Sequence, residues 1–334
     1  MATNLQKILQ AIKATAKTSH PWIRGQPAPQ PYFTYRDGVW RSSTDTALPT
    51  NTTSLSCSTL SVLSWNIDFM RILPSERMTR ALAFLATYTA LLPAPPILMF
   101  NEMLVSDLQL LQHTPWIQDR YNLTDLDDRY WESGYYGTCM LISRALPISR
   151  VFRVHYTDTA MERDGLFVDL HLNNRTLRVC STHLESLVAV PPRRPGQMAE
   201  AARFLREAEA GILGGDLNAI ESFDRRLHAD NGLEDAYLRR GGEEDAREGM
   251  TWGQMAPTTQ REQFGLSRMD KLLFCGGVDV RHFETFGMDV AVDSEELRAR
   301  LVREEGLEKG WVTDHLGVRG DFVLLANGRS GASL

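Results

Sequence analysis

Three apolar runs in this chain end in one polar–apolar–polar signature: Asn66-Ile67-Asp68, His183-Leu184-Glu185 and Asp216-Leu217-Asn218. Side chains two apart on a strand point the same way, so each triplet aims two polar groups together and turns the middle residue aside. A fourth run, Ile97-Leu98-Met99-Phe100, ends in Asn101-Glu102; Arg268-Met269-Asp270 opens another, and Asp314-His315 precedes the last. Carboxylates and amides at the ends of buried strands must be paired, hydrated or metal-bound to offset desolvation. Each site alone reads as a turn, a cap or a structural histidine; six in one chain point to a site.

The residue types suit phosphate ester hydrolysis. A hard cation such as Mg²⁺ takes one or two carboxylates and keeps several waters. Glu102 is expected to be the principal ligand, with Asp68 and Asn66 completing or bracing the ligand set. Asp216 is the expected general base, and Asn218 is expected to orient the attacking water or the phosphate. A histidine held by a carboxylate can donate to a developing oxyanion; this fits His315, with Asp270 or Asp314 as its orienter. His183 is expected to clamp a second phosphate oxygen.

The elements that must position these residues follow from the apolar pattern. Strands are predicted at Leu60–Ile67, Pro96–Phe100, Tyr136–Ile142, Leu166–Leu172, Thr176–Thr182, Gly211–Gly215, Lys271–Phe274 and Val318–Leu325. Several are continuous apolar runs, as expected for strands covered on both faces. Helices are predicted at Glu76–Leu92, with Ser75 as N-cap, and at Gly196–Ala210. Strands alternating with helices predict stacked sheets with helices outside. Residues 1–58 are expected to be peripheral and residues 59–334 to form the catalytic domain. The peripheral segment holds an apolar helical face (Leu5, Ile8, Leu9, Ile12), a Pro/Gln-rich stretch from Gln26 to Pro31 and a Ser/Thr-rich linker from Ser42 to Thr59.

Composition narrows the function. Hydrophobic residues make up 43% and charged residues 23% of 334, ordinary for a globular chain. The four cysteines, Cys57, Cys139, Cys180 and Cys275, form no zinc pair, so metal chemistry is expected through oxygen ligands. A net charge of −6 disfavours a protein that coats long nucleic acid. No apolar run reaches the roughly 20 residues of a membrane span. A nuclear or cytoplasmic monomer is expected. A short docked N-terminal helix is favoured over a mitochondrial presequence, because the first arginine is Arg24.

Taken together, the motifs resemble those of the endonuclease/exonuclease/phosphatase superfamily. The matching strings, in order, are Ser64-Trp65-Asn66-Ile67-Asp68, Glu102, Ser181-Thr182-His183-Leu184-Glu185-Ser186, Gly215-Asp216-Leu217-Asn218, Thr251-Trp252, Arg268-Met269-Asp270 and Thr313-Asp314-His315-Leu316-Gly317. The wording is most similar to the type-2 tyrosyl-DNA phosphodiesterases, which remove a topoisomerase tyrosine from a DNA 5′ end. The resemblance covers about residues 60–325. It implies a four-layer α/β sandwich of two packed mixed β-sheets flanked by helices, a Mg²⁺ or Mn²⁺ requirement, and in-line attack of water on phosphorus. It also implies single-stranded or frayed DNA 5′ ends as the partner.

Carried over by the resemblance, Asn66, Glu102, Asp216, Asn218 and His315 form the catalytic set, supported by His183, Ser186 and Asp314, with Trp252 near the substrate. Arg193 and Arg194 lie where the family lines its substrate with a loop. The chain departs from the pattern at three places: Phe69-Met70 replace Gly-Leu, Asn101 replaces Gln, and Ala219-Ile220 replace Leu-Arg. Another hydrolase of the superfamily, acting on abasic sites, RNA or a lipid headgroup, is the alternative. A dead-site scaffold is disfavoured because Glu102 and His315 are both present.

Overall fold

The structure, a computed structural model, describes residues 22–44 and 58–325. The expected N-terminal helical face, most of the Ser/Thr-rich linker and Cys57 lie outside the described residues. The strands are β1 (Pro27–Pro29), β2 (Phe33–Arg36), β3 (Val39–Ser42), β4 (Thr59–Asn66), β5 (Pro96–Met103), β6 (Tyr121–Leu123), β7 (Gly137–Ser143) and β8 (Ile148–His155). They continue with β9 (Asp164–Leu172), β10 (Arg175–His183), β11 (Ala210–Asp216), β12 (Glu234–Asp235), β13 (Asp270–Gly276), β14 (Val278–Phe286) and β15 (Gly317–Leu324). The longer helices are α1 (Pro74–Ala90), α2 (Val105–His113), α3 (Pro115–Arg120), α4 (Arg194–Leu205), α5 (Thr258–Phe264) and α6 (Glu295–Glu305).

The strands form two mixed sheets, β1-β8-β9-β10-β11-β13-β12 and β14-β15-β4-β5-β7-β6-β2-β3. Each sheet contains one parallel pair, β10/β11 in the first and β4/β5 in the second. A parallel pair needs a crossover, and α4 and α1 lie in the two crossover connections. Such a pair also brings two carboxyl-terminal strand ends to the same edge. Asn66 is in register with Asn101, and His183 with Asp216.

The apolar runs are covered on both faces, which gives four layers. Leu60, Val62, Ile97 and Met99 of one sheet pack against Val168, Val179, Ile212 and Leu272 of the other. The alternate residues Leu63, Trp65, Leu98 and Phe100 face α1 and α2 through Met78, Leu82, Leu85 and Leu108. On the far side Phe167, Cys180 and Leu213 pack on Met198, Ala201 and Leu205 of α4. Burying each such side chain contributes roughly 1.5–3 kcal/mol before conformational entropy is charged against it. Gly215 (φ 150°) permits the close approach of β10 and β11: a Cβ there would lie 1.7 Å from the Thr182 carbonyl oxygen. Among the described residues, no helix is long and apolar enough to cross a membrane.

The predicted strands are found, with most ends shifted by one to three residues. Helix α1 starts at Pro74, with Leu73 rather than Ser75 at its N-cap, and α4 ends at Leu205 rather than Ala210. Residues 27–42 supply edge strands: β1 pairs with β8, and β2 pairs with β6.

Candidate active site

The carboxyl-terminal ends of the two parallel pairs meet, and the charged residues there converge. Asn66 sits at the end of β4, where its Nδ2 donates to Asp216 Oδ2 (3.0 Å) and Glu102 Oε1 (3.3 Å). One amide therefore bridges carboxylates from opposite sheets. Asn101 repeats the link: its Oδ1 accepts from the Asp216 backbone N–H (2.9 Å), and its Nδ2 donates to the Thr182 carbonyl (3.3 Å).

Glu102 reaches this point through a bulge. The β5/β7 register shifts between Phe100 and Met103, and Glu102 takes a left-handed conformation (φ 59°). That breaks strand alternation and lets adjacent Asn101 and Glu102 serve the same site; such costly backbone is held only where surrounding contacts enforce it. The Phe69 backbone N–H donates to Glu102 Oε2 (3.1 Å). Among the described residues, neither Glu102 nor Asp216 forms an ion pair with arginine or lysine. Burial first, then the charges of Asp68 and Asp216, push the Glu102 carboxyl up to about 7. A cation held there would relieve that cost.

The two histidines are in opposite states. Arg163 hydrogen-bonds His183 Nδ1, and a guanidinium can only donate. Nδ1 therefore accepts, and the ring proton sits on Nε2. Burial, reinforced by Arg163 and His315, holds this imidazole well below its usual range, so it is neutral. Its Nε2–H faces Asp216 Oδ2 (3.4 Å) and Glu102 Oε1 (3.8 Å). Glu102, His183 and Asp216 place potential ligand atoms within 4.8 Å of one another, but the free lone pair of His183 is committed to Arg163. The donors left for a metal are oxygens, which fits a hard cation.

His315 Nδ1 lies 2.8 Å from Asp270 Oδ2, and its Nε2 lies 3.8 Å from Asp216 Oδ2. Burial alone would push this imidazole down, yet Asp270, Asp216 and Asp314 hold it well above the usual histidine range. Of the two orienters expected for His315, Asp270 makes the contact; Asp314 is 3.9 Å away from Nε2. Asp314 instead accepts from Trp252 Nε1 (2.9 Å) and lies 3.5 Å from Arg71 Nη2. Trp252 thus lies beside the cluster, buried, with its indole N–H engaged. Asn218 turns left-handed (φ 48°), its backbone N–H donating to Asp216 Oδ1 (2.8 Å) and its Nδ2 to the Leu184 carbonyl (3.0 Å).

Several expectations are corrected. The polar triplets do not continue as strands: β4, β10 and β11 end at Asn66, His183 and Asp216, so the third member lies beyond the strand. Asp68 (φ 56°) gives its Oδ2 to Arg71 Nε (2.7 Å) and belongs to neither of the two groups whose ligand atoms cluster, Glu102/His183/Asp216 and Asp216/Asp270/His315. Its Oδ1 accepts from the Met70 backbone N–H (3.0 Å), so both carboxylate oxygens are engaged by the loop that follows. Arg194 is buried, bidentate to Asp224 (2.9 and 2.7 Å) and bonded to the Glu185 and Leu187 carbonyls, so its guanidinium has no free face for a substrate. Arg193 pairs with Asp158 (2.9 Å). Ser186 lies at the margin, 3.4 Å from Arg163 Nη2.

Arg163, Tyr136, Arg71 and Arg77 escaped the sequence reading. None sits in a spaced motif; only an unpaired buried histidine at position 183 could have prompted a search for Arg163.

Comparison with known proteins agrees with this geometry. A model of the Endonuclease/Exonuclease/phosphatase family matches residues 63–315. No curated protein matches the chain by sequence. Among solved structures, the fold is similar to D. rerio TDP2 complexed with a single-strand DNA product (19% identity, 79% of this chain and 99% of that one, TM-score 0.60). It is also similar to the human Nocturnin catalytic domain (15% identity, 80% and 95%, TM-score 0.56) and to a mannosyl-6-phosphatase of Bacteroides thetaiotaomicron (16% identity, 79% and 100%, TM-score 0.54). With well over half its length matched, the chain belongs to the endonuclease/exonuclease/phosphatase family.

Proposed function

We propose that this protein is a Mg²⁺-dependent phosphodiesterase that removes 5′-phosphotyrosyl adducts from DNA ends, with Mn²⁺ as a substitute cation. The observation that carries the reading is the convergence of Asn66, Glu102, His183, Asp216, Asn218 and His315 from both sheets in one oxygen-rich cluster. Glu102 would hold the cation, with Asn66 fixing its carboxylate beside Asp216. The bound cation supplies charge neutralisation at the phosphate.

The chain's own groups do the rest. Asp216 takes the proton of the attacking water while Asn218 fixes the Asp216 loop and orients that water. The His315 imidazolium donates from Nε2 to a non-bridging phosphate oxygen, and the neutral His183 donates its Nε2–H to a second. A tyrosine phenol, with a pKa near 10, leaves with little protonation, so the scheme needs no further acid. Two exposed arginines are ion-paired within the chain, Arg225 with Asp245 and Arg239 with Asp279 and Glu234. That suits a single-stranded or frayed end better than a long duplex.

The test offers purified protein with Mg²⁺ a 5′-phosphotyrosyl oligonucleotide, an abasic duplex, oligo-adenylate and sphingomyelin. The first should be cleaved, chelation should abolish cleavage, and Glu102→Gln should lower kcat/KM by about 10²-fold or more. Cleavage confined to the other three would overturn the substrate assignment.

A further inference from the structure

Phe69 stands where the family pattern has glycine, and its ring continues a layered stack rising out of the site. The innermost layer is the Arg163 guanidinium, which locks His183 and lies 5.2 Å from the Tyr136 ring centroid. Tyr136 is buried and pinned, its hydroxyl donating to the Met161 carbonyl (2.6 Å). On Tyr136 lies Phe69, with centroids 4.5 Å apart and planes 6° apart; Tyr135 meets Phe69 edge-on at 5.7 Å. Phe69 is half-buried, while Met70 and Tyr135 beside it are 50% and 45% exposed. The backbone N–H of Phe69 is bonded to Glu102 (3.1 Å), so the outer ring sits one hydrogen bond from the carboxylate that would hold the cation.

Resting on the phosphodiesterase reading, we propose that Phe69, edged by Tyr135, is a substrate subsite that stacks a planar aromatic ring carried next to the scissile phosphate. The stack argues for the ligand class. Offset rings at this spacing prefer another flat ring as the next layer. An exposed apolar patch selects against phosphate oxygens and for an uncharged group. The attachment to Glu102 ties the shelf to the ester being cleaved rather than to a remote nucleotide. The ring can come from either side of the phosphate: the tyrosyl leaving group or the first nucleobase.

Equilibrium binding to the full chain, with Ca²⁺ replacing Mg²⁺ to suppress turnover, separates these sources. Phenyl phosphate and cyclohexyl phosphate differ in planarity at nearly equal size. Thymidine 5′-phosphate and 2-deoxyribose 5-phosphate differ by the base. The wild-type protein should prefer the planar member of at least one pair by about tenfold, within the range of one stacked ring. Phe69→Leu, which keeps an apolar side chain, should collapse that preference toward unity, and Phe69→Trp should retain it. Collapse in the first pair assigns the shelf to the leaving group; collapse in the second assigns it to the base. Preferences unchanged by Phe69→Leu, with the 5′-phosphotyrosyl oligonucleotide still cleaved, would overturn the shelf alone. Failure to bind any of the four, with no ester cleaved in Mg²⁺, would overturn the phosphodiesterase reading along with it.

Discussion

His183 and His315 share one pocket but carry different protons, and their neighbours decide which. Arg163 leaves His183 neutral with its hydrogen on Nε2; Asp270 keeps His315 doubly protonated. The rate should therefore rise as pH climbs through about 7, where Glu102 loses its proton and can hold a cation. It should fall again as His315 deprotonates, well above the usual 6.5. Asp270→Asn removes the strongest anionic partner of His315, so the imidazole pKa drops and the alkaline limb moves to lower pH. The maximal rate should fall by about 10²-fold, and the acid limb, set by Glu102, should stay in place. Profiles of kcat/KM against pH for the two proteins check this. An alkaline limb that does not move would mean that Asp270 does not sustain the imidazolium.

The element that aims these residues is the turn from β4 into α1. Arg77, in the first turns of α1 and 1% exposed, donates to the carbonyls of Ile67 (2.7 Å), Asp68 (2.6 Å), Arg71 (3.2 Å), Ile72 (3.0 Å) and Val312 (2.5 Å). It thus fastens the loop after Asn66 to the segment just before Asp314-His315. Arg77→Met would leave these carbonyls without a donor inside the protein, at a cost of about 3–5 kcal/mol. Urea unfolding should show a lower midpoint at unchanged slope. Arg77→Lys, with three donors instead of five, should recover part of the loss; full recovery would show that charge alone matters. This element also marks the limit of what the residue pattern makes legible. The apolar runs were legible because each strand is covered on both faces. Strand parity then placed Asp68 and Asn218 beside Asn66 and Asp216, whereas left-handed turns at both positions break that parity. The bulge at Glu102 and the arginine clasp leave no periodic trace, because a guanidinium reaches carbonyls far away in sequence without any spacing rule.

Across the whole molecule, the strands that the apolar pattern does not mark lie toward the sheet margins: β1, β2, β3, β6 and β12 are short, and β8 and β14 mix charged with apolar residues. The segment 22–44 extends one side of each sheet, through β1 on β8 and β2 on β6, so that the very short strands β1 and β3 form those edges and offer little for another chain to pair with. Its anchor is partly ionic. Trp22 stacks on His155 with ring centroids 3.9 Å apart, and the Gly25 backbone N–H donates to the His155 carbonyl (2.8 Å). Arg24 pairs with Glu132 and, at 3.3 Å, with Glu162. Burial first, and then the Glu132 carboxyl beside it, push Glu162 up to about 7. A carboxyl raised on folding favours the folded state when protonated, so it costs stability as pH rises from its unfolded range through 7. Arg24 offsets part of that cost, and only when the glutamates are ionised. Arg24→Gln should therefore lower Tm by about 2–4 °C at pH 8 and barely at pH 5, with little change in the rate below the transition. An equal loss at both pH values would mean that packing of Trp22 and β1, rather than charge, holds the segment to the body.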